Sequence, residues 1–104
     1  MKDLINVIKL IAKFPDKLGV RVSKSKDGGY WAEVVNLPGC FTQAESPMEL
    51  LAMVNDAVYT YFDVPKKYIS KMPIYLPEEM ILKKIEANEI PSNILHNELQ
   101  LQRV

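Results

Sequence analysis

The sequence predicts an α+β domain: a small, mainly antiparallel sheet of about three to four strands, packed by one main helix, with helical extensions at both termini. Three observations predict this class. Leu18, Val20 and Val22 alternate with small or polar residues, which is the period of a half-buried strand. Asp27-Gly28-Gly29 then supplies residues that tolerate the positive φ of a tight turn. Ser46-Pro47-Met48-Glu49 has the composition of a helix start.

The length and composition are those of one globular domain. The chain has 104 residues, of which 48% are hydrophobic and 25% charged, so wholesale disorder is excluded. We divide it into an α+β domain at residues 1–77, which includes an N-terminal helix, and a C-terminal extension at residues 78–104, helical at least in part. Cys40 is the only cysteine, which excludes an intramolecular disulfide and suits a reducing compartment. We expect its thiol to be buried.

A short amphipathic helix is predicted for residues 3–13. Leu4, Ile5 and Ile8 recur at helical spacing, and Pro15 requires the helix to end before it. A strand is the alternative. Lysines interrupt the apolar residues, so the segment is neither a membrane span nor a signal peptide. We therefore expect a cytoplasmic protein that does not enter a membrane.

A β-hairpin and a third strand are predicted before the main helix. The first strand ends near Val22, and a turn at residues 24–29 leads to a second strand at residues 30–35. Leu37-Pro38-Gly39 breaks the second strand, and residues 40–43 then form a short third strand.

The main helix begins at Ser46, whose hydroxyl is suited to capping it, and Pro65 stops it. Its apolar residues recur at spacings of three and four, as expected of a face in the core. This stripe comprises Leu51, Val54, Val58, Tyr61 and Phe62. Four polar residues lie off the stripe and are expected to be exposed: Asn55, Asp56, Thr60 and Asp63.

The remaining segments have weaker signals. Residues 72–76 have the composition of a strand, and the prolines around them favour the edge of a sheet. Residues 77–91 begin and end with proline and contain a second short helix. For the last residues both a helix and a strand, at residues 99–104, remain open.

The charges are unevenly distributed, although the net charge is zero. Residues 1–26 contain seven basic and two acidic residues, whereas residues 27–65 contain six acidic residues and no lysine or arginine. A surface without cations repels phosphate backbones and attracts a basic protein. A solvated acidic face without a partner is the alternative.

The most specific motif lies in residues 27–42. Gly28-Gly29 leads into Tyr30-Trp31-Ala32-Glu33, and Leu37-Pro38-Gly39-Cys40 precedes Thr42 and a helix start. This order resembles the HicB-like antitoxins, whose pattern is glycine, an aromatic residue, alanine, an acidic or small residue, an apolar residue, Leu-Pro-Gly-Cys and threonine. The resemblance covers residues 17–64 and implies a degenerate, partial ribonuclease H-like fold.

The resemblance also implies a function in a toxin-antitoxin system. HicB-like proteins bind and neutralise HicA-like toxins, which are small basic RNases, and are not nucleases themselves. A toxin is then expected to dock on the acidic middle of this chain. The antitoxin would thereby cover the toxin's RNA-binding surface and active site. As partner-binding residues we select Glu33, Glu45 and Asp56 with Tyr30 and Trp31, of which the exposed ring is the expected anchor.

Two departures from the HicB-like pattern bear on function. Ala44 stands where many members have glycine. Members usually carry a C-terminal DNA-binding module, but residues 78–104 contain three basic and five acidic residues, a net charge of −2. That charge argues against binding of promoter DNA.

Self-association is expected, because free sheet edges need covering. A homodimer or homotetramer held by the N-terminal helix or by the tail would cover them.

Two other functions compete with the antitoxin interpretation. One is a stand-alone structural or regulatory oligomer without a toxin. The other is a DNA-binding transcriptional autoregulator with a basic groove built from Lys2, Lys9, Lys13 and Arg21.

No catalytic, metal-binding or cofactor-binding residue is expected. Asp27, Glu33 and Asp56 are assigned to a turn, a strand and a helix, and their spacing does not require them to converge on metal ions. Cys40 and His96 lie far apart in the sequence, so a nucleophile and base pair has no support in their spacing.

Overall fold

The computed structural model describes residues 2–95 and 97–104. Its elements are, in chain order, α1 (Lys2–Lys13), β1 (Lys17–Lys24), β2 (Tyr30–Val34), β3 (Phe41–Ala44), α2 (Pro47–Tyr61), β4 (Tyr75–Leu76), α3 (Glu79–Glu86) and β5 (Glu98–Arg103). Two 3₁₀ segments, Lys66–Lys71 and Ser92–Leu95, precede β4 and β5. The predicted α+β class is confirmed.

The sheet has five strands in the order β3-β2-β1-β5-β4, and each neighbouring pair is antiparallel. The prediction of three to four strands missed β5, whose conformation the sequence left open. Leu99 and Leu101 are buried between exposed polar residues, which is the two-residue period of a strand. Their alternation places them opposite Val20 and Leu18 of β1, so pairing with β1 decides the conformation. β4 confirms an edge strand before α3, although only Tyr75–Leu76 of the predicted residues 72–76 belong to it.

Helix α2 covers one face of the sheet. The Glu49 backbone N–H donates to the Ser46 hydroxyl at 3.2 Å, and Pro47 occupies the first helical turn, so the predicted start is confirmed. The residues that α2 buries share one apolar side. They are Pro47, Leu50, Leu51, Val54, Asn55 and Val58. Asp63 follows the helix with φ at 52°, a conformation that ends it.

Asn55 corrects one expectation. The sequence analysis placed it on the exposed side of the main helix, but it is only 8% exposed. Its amide nitrogen donates to the carbonyl oxygens of Leu51 at 2.9 Å and Tyr75 at 3.0 Å, and its side-chain oxygen accepts from the Tyr75 N–H at 2.7 Å. Because these bonds satisfy the amide, its burial costs little. Asp56, Thr60 and Asp63 are exposed as predicted.

Helix α1 is attached to the domain by one side. Val7 is its buried residue, and the Tyr68 hydroxyl donates to the Asp3 carboxylate at 2.7 Å. Leu4, Ile5 and Ile8 face outward and are 59%, 47% and 57% exposed. In the described part of the chain, no helix is both long and apolar enough to cross a membrane.

Candidate protein-binding surface

Strand β3 ends the sheet and leaves backbone groups unpaired along its outer side. The Val34 N–H donates to the Cys40 carbonyl at 2.9 Å, which makes these two residues a hydrogen-bonded pair of the antiparallel ladder. Such pairs alternate along the strands. The backbone groups of Phe41 and Gln43 therefore point away from β2, at the open edge. An edge of this kind can accept a further strand from another chain.

Acidic residues run alongside this edge. Glu49 and Asp56 are seven residues apart on α2 and thus lie on the same face of the helix. Glu45 precedes α2, and it lines an open cleft of about 610 Å³ together with Glu49 and Asp27. Asp63 follows α2 and lines a second depression together with Asp56 and Lys66. The carboxylates of the central segment, except Glu33, are therefore gathered along one side of the molecule.

Two exposed aromatic rings lie at the other end of β3. Phe41 is 57% exposed and Tyr61 is 41% exposed, and both line a groove with Asp56 and Thr60. The sequence analysis placed Tyr61 in the core-facing stripe of the main helix, which is wrong, because Tyr61 lies at the end of α2 on a side that the sheet does not cover. Aromatic rings are enriched in surfaces that bind proteins, and polar residues form the rim of such surfaces. We define the β3–α2 surface as the open edge of β3 with five flanking residues. These are Phe41, Glu45, Glu49, Asp56 and Tyr61.

The structure brings together only some of the predicted partner-binding residues. Tyr30 is half-buried and lines the cleft with Glu45, while Asp56 lies at the far end of β3. Trp31 and Glu33 point to the face of the sheet that α2 does not cover, and so does Phe41, which is opposite Glu33 in the register of β2 and β3. Phe41 also lines the groove beside Asp56, because β3 is the edge strand. Trp31, which is 46% exposed, is the outward ring of the two.

Glu33 already has a partner within the chain. Its Oε1 lies 2.9 Å from Nη1 of Arg21, and the two residues are opposite each other on β1 and β2. An exposed pair of this kind adds little stability. It does balance the charge of Glu33, whereas within the described residues Glu45, Glu49 and Asp56 form no ion pair. The acidic character of the central segment is therefore concentrated on the β3–α2 surface.

Phe41 is a candidate that the sequence analysis missed. A signal was present, because Cys40 was expected to be buried and the next residue of a strand faces the other way. Cys40 is indeed only 4% exposed, and burial raises the pKa of its thiol. An inert buried thiol is not poised as a nucleophile. His96, which was considered as its base, lies outside the described residues.

The carboxylates considered for a nuclease site lie on three different parts of the fold. Asp27 is in the hairpin turn, Glu33 on the outer face of β2 and Asp56 on α2. Among residues 2–95 and 97–104, no group of three or more His, Cys, Asp or Glu residues is placed to hold a metal ion. What the β3–α2 surface offers is backbone groups, carboxylates and aromatic rings, which together suit recognition of a basic polypeptide.

Two archaeal proteins are similar to this chain. A UPF0150 protein of Thermoplasma acidophilum is 38% identical over 64 residues, which cover 62% of this chain and 93% of that relative. This chain belongs to the UPF0150 family. A UPF0150 protein of Archaeoglobus fulgidus is 42% identical over 50 residues, or 48% of this chain and 72% of that protein. The name UPF0150 states no activity, ligand or partner. No family model and no solved structure matches the chain.

Proposed function

We propose that this UPF0150 protein is an antitoxin-like binding protein. It neutralises a small, basic, HicA-like toxin that cleaves mRNA, and it does so by covering the toxin's RNA-binding and active surface. The proposal includes a cytoplasmic location, which the unpaired Cys40 supports. The resemblance of residues 27–42 to HicB-like antitoxins supplies the class of partner.

One observation carries the proposal: the open edge of β3 is flanked by carboxylates that have no ion-pair partner among the described residues. Residues 27–65 contain no lysine or arginine to offset them. A protein that binds RNA presents cations to the phosphates. The same cations are attracted by Glu45, Glu49 and Asp56, so the acidic surface competes with RNA for the toxin.

The β3–α2 surface also supports binding beyond charge attraction. Phe41 and Tyr61 supply apolar area next to the carboxylates, and such rings often contribute most of the affinity in an interface. The free backbone groups of Phe41 and Gln43 allow a strand of the toxin to extend the sheet. Charge would then steer the encounter, whereas the rings and the strand edge would slow dissociation.

A DNA-binding autoregulator is the second candidate, and one observation favours it. Lys2, Lys9 and Lys13 share one exposed face of α1, where they could contact phosphates. Arg21, the fourth cation considered for a basic groove, is instead paired with Glu33 on β2. A salt-dependent shift of a promoter fragment by the chain alone would support this function.

The test is co-expression of the chain with the product of the neighbouring small basic open reading frame. We expect a stable complex that loses the RNA-cleaving activity of the partner. Asp56→Lys and Glu45→Lys should weaken the complex about tenfold each, because each replaces an attraction with a repulsion. Glu86→Lys on α3 makes the same charge change at an exposed site away from the β3–α2 surface, and it should not weaken the complex. A cleaving partner that is neither bound nor inhibited would refute the proposal for that pair.

A further inference from the structure

Helix α1 presents a lysine face next to an apolar face. Lys2, Lys9 and Lys13 recur at spacings of seven and four residues and therefore share one side of the helix. At 3.6 residues per turn, Ile5 lies about 60° and Ile8 about 120° around the helix from the lysines, whereas Leu4 lies nearly opposite them. Each of the three is about half exposed. Within the described residues none of the three lysines forms an ion pair. The inner side of α1, at Val7, is already packed on the domain, so the outward sides are available.

The acidic face of α2 matches this pattern. Glu49 and Asp56 are seven residues apart on a helix, as are Lys2 and Lys9. At 1.5 Å per residue, both pairs span about 10.5 Å along their helix axes. Exposed apolar side chains lie on either side of the carboxylates, since Met48 is 47% exposed and Tyr61 is 41% exposed. The two surfaces are therefore complementary in charge and in spacing.

We propose that the chain forms a two-fold symmetric homodimer in which α1 of each copy docks on the acidic face of α2 in the other. Lys2 and Lys9 lie against Glu49 and Asp56, and Ile5 and Ile8 pack on the apolar side chains beside them. The occupant of the acidic face is thus a second copy of this chain. The contact is reciprocal, so the assembly closes at two copies.

The size of α1 favours the reciprocal arrangement. Its 12 residues make a helix about 18 Å long, which alone covers only part of the roughly 800 Å² per partner that a standard interface buries. In a two-fold arrangement each copy contributes both α1 and α2, so the same contact forms twice and no further surface is needed. It also removes the exposed apolar side of α1 from water, which is the driving force that charge attraction alone does not supply.

The dimer does not depend on the existence of a toxin, although it uses part of the same surface. A basic partner that binds Glu49 and Asp56 would have to displace α1 of the second copy. The two proposals therefore fail separately. A monomeric chain that inhibits the toxin would overturn only the dimer, and a dimer that ignores every toxin would overturn only the proposed function.

Sedimentation velocity of the full chain over a range of concentrations tests the dimer. We expect a species of twice the 11.9 kDa chain mass, with weaker association at about 500 mM than at about 50 mM salt. Lys9→Glu and Asp56→Lys should each raise the dissociation constant about tenfold, because each change affects two symmetric contacts. The double variant Lys9→Glu/Asp56→Lys should restore most of the association. Lys84→Glu, at an exposed lysine of α3, is the matched control and should have no effect.

Three results would overturn the dimer. The first is a monomer at every concentration. The second is association that both charge reversals leave unchanged, or that the double variant does not restore. The third is a dimer that both charge reversals leave intact but that Gln43→Pro abolishes. This change removes a free N–H from the edge of β3, so the result would place the contact at that edge. Loss of association in Ile8→Glu, with circular dichroism unchanged, would support the packing of α1.

Discussion

The side chain of Asn55 completes the hydrogen bonding of the Tyr75 backbone. Ile74 accepts from the Val104 N–H at 2.8 Å, so by alternation the N–H and C=O of Tyr75 point away from β5. They meet the amide of Asn55 at 2.7 Å and 3.0 Å. Asn55 thus takes the place that a further strand would have beside the short strand β4, and it joins α2 to the sheet.

Replacing Asn55 with alanine should destabilise the fold by about 3 kcal/mol, because two buried backbone groups of Tyr75 lose their partners. Urea unfolding followed by circular dichroism measures this as a lower midpoint. Asp56→Ala is the matched control, since Asp56 is the next residue on α2 and is exposed. A loss below about 1 kcal/mol for Asn55→Ala would show that the pairing is not important for stability.

Stability should fall above about pH 10 through the side chain of Tyr75. The pKa of Tyr75 is raised to about 12, mainly by burial. Arg103 lowers this pKa and Asp16 raises it, and both effects are included in that value. An unfolded tyrosine has a pKa of about 10, so the folded chain holds its proton more tightly than the unfolded chain. The stabilisation is complete below that pH and is lost as pH rises toward 12.

The measurement for Tyr75 is the urea midpoint of the wild type and of Tyr75→Phe from about pH 8 to about pH 12. Tyr75→Phe should be less stable at neutral pH, because the hydroxyl that donates to the Pro15 carbonyl is lost. Its midpoint should depend less on pH than that of the wild type. Equal slopes in the two proteins would contradict the assignment of this dependence to Tyr75.

Gly29→Ala should disrupt the hairpin. A Cβ at this position would lie 2.8 Å from the Ala44 carbonyl oxygen, which belongs to the backbone and cannot easily move. We expect a loss of about 2 kcal/mol in the free energy of unfolding. Gly39→Ala has open space around its Cβ but requires φ at +84°, and it should lose only about 1 kcal/mol. If the two variants are equally stable, contact with the Ala44 carbonyl oxygen does not cause the loss of stability in Gly29→Ala.

The thiol of Cys40 should react slowly in the folded protein. It is buried, and its burial raises its pKa, so little reactive thiolate is present at neutral pH. An aromatic disulfide reagent should modify the native chain at least about 100-fold more slowly than the urea-unfolded chain. In Ser70→Cys the added thiol is at an exposed site and should react in a separate fast phase. A fast phase in the wild type would contradict this prediction.

Phe41→Ala should weaken binding of the proposed toxin about tenfold and change stability by less than about 0.5 kcal/mol, because the ring is exposed at the open edge of β3. Ile74→Ala is the matched control. Ile74 is 53% exposed next to β4, at the opposite end of the sheet. Titration calorimetry with the purified toxin compares the two. Equal losses of affinity would argue against a special role for Phe41.

Local signals predicted much of the framework. The turn at Gly28-Gly29 and the capped helix start at Ser46 depend on residues that are contiguous in the sequence, and both are observed. The acidic central segment was also recognisable, since a count of charges needs no structure. The concentration of these charges beside β3 was not, because it results from the packing of α2 on the sheet.

Three features depended on contacts between distant residues. Asn55 lies four residues after Leu51 and three before Val58, at the margin of the buried stripe. What the sequence could not show is the partner that satisfies its amide, because Tyr75 lies 20 positions away. The choice between Tyr30 and Trp31 as the outward ring follows from which face of the sheet α2 covers. The acidic Glu33 looked free but is opposite Arg21 across β1 and β2.

By itself the sequence determined the α+β class, the hairpin, the start of α2 and the uneven distribution of charge. The helix ends at Tyr61, four residues before the predicted stop at Pro65. Turn chemistry, capping and hydrophobic period act within a few residues, so they can be read from the chain directly. Only the tertiary structure decided that the tail becomes β5 between β1 and β4 and that β3 is left as an open edge beside Asp56. Strand pairing joins segments that are far apart in the chain, and the energy of such pairing depends on partners that no local pattern identifies.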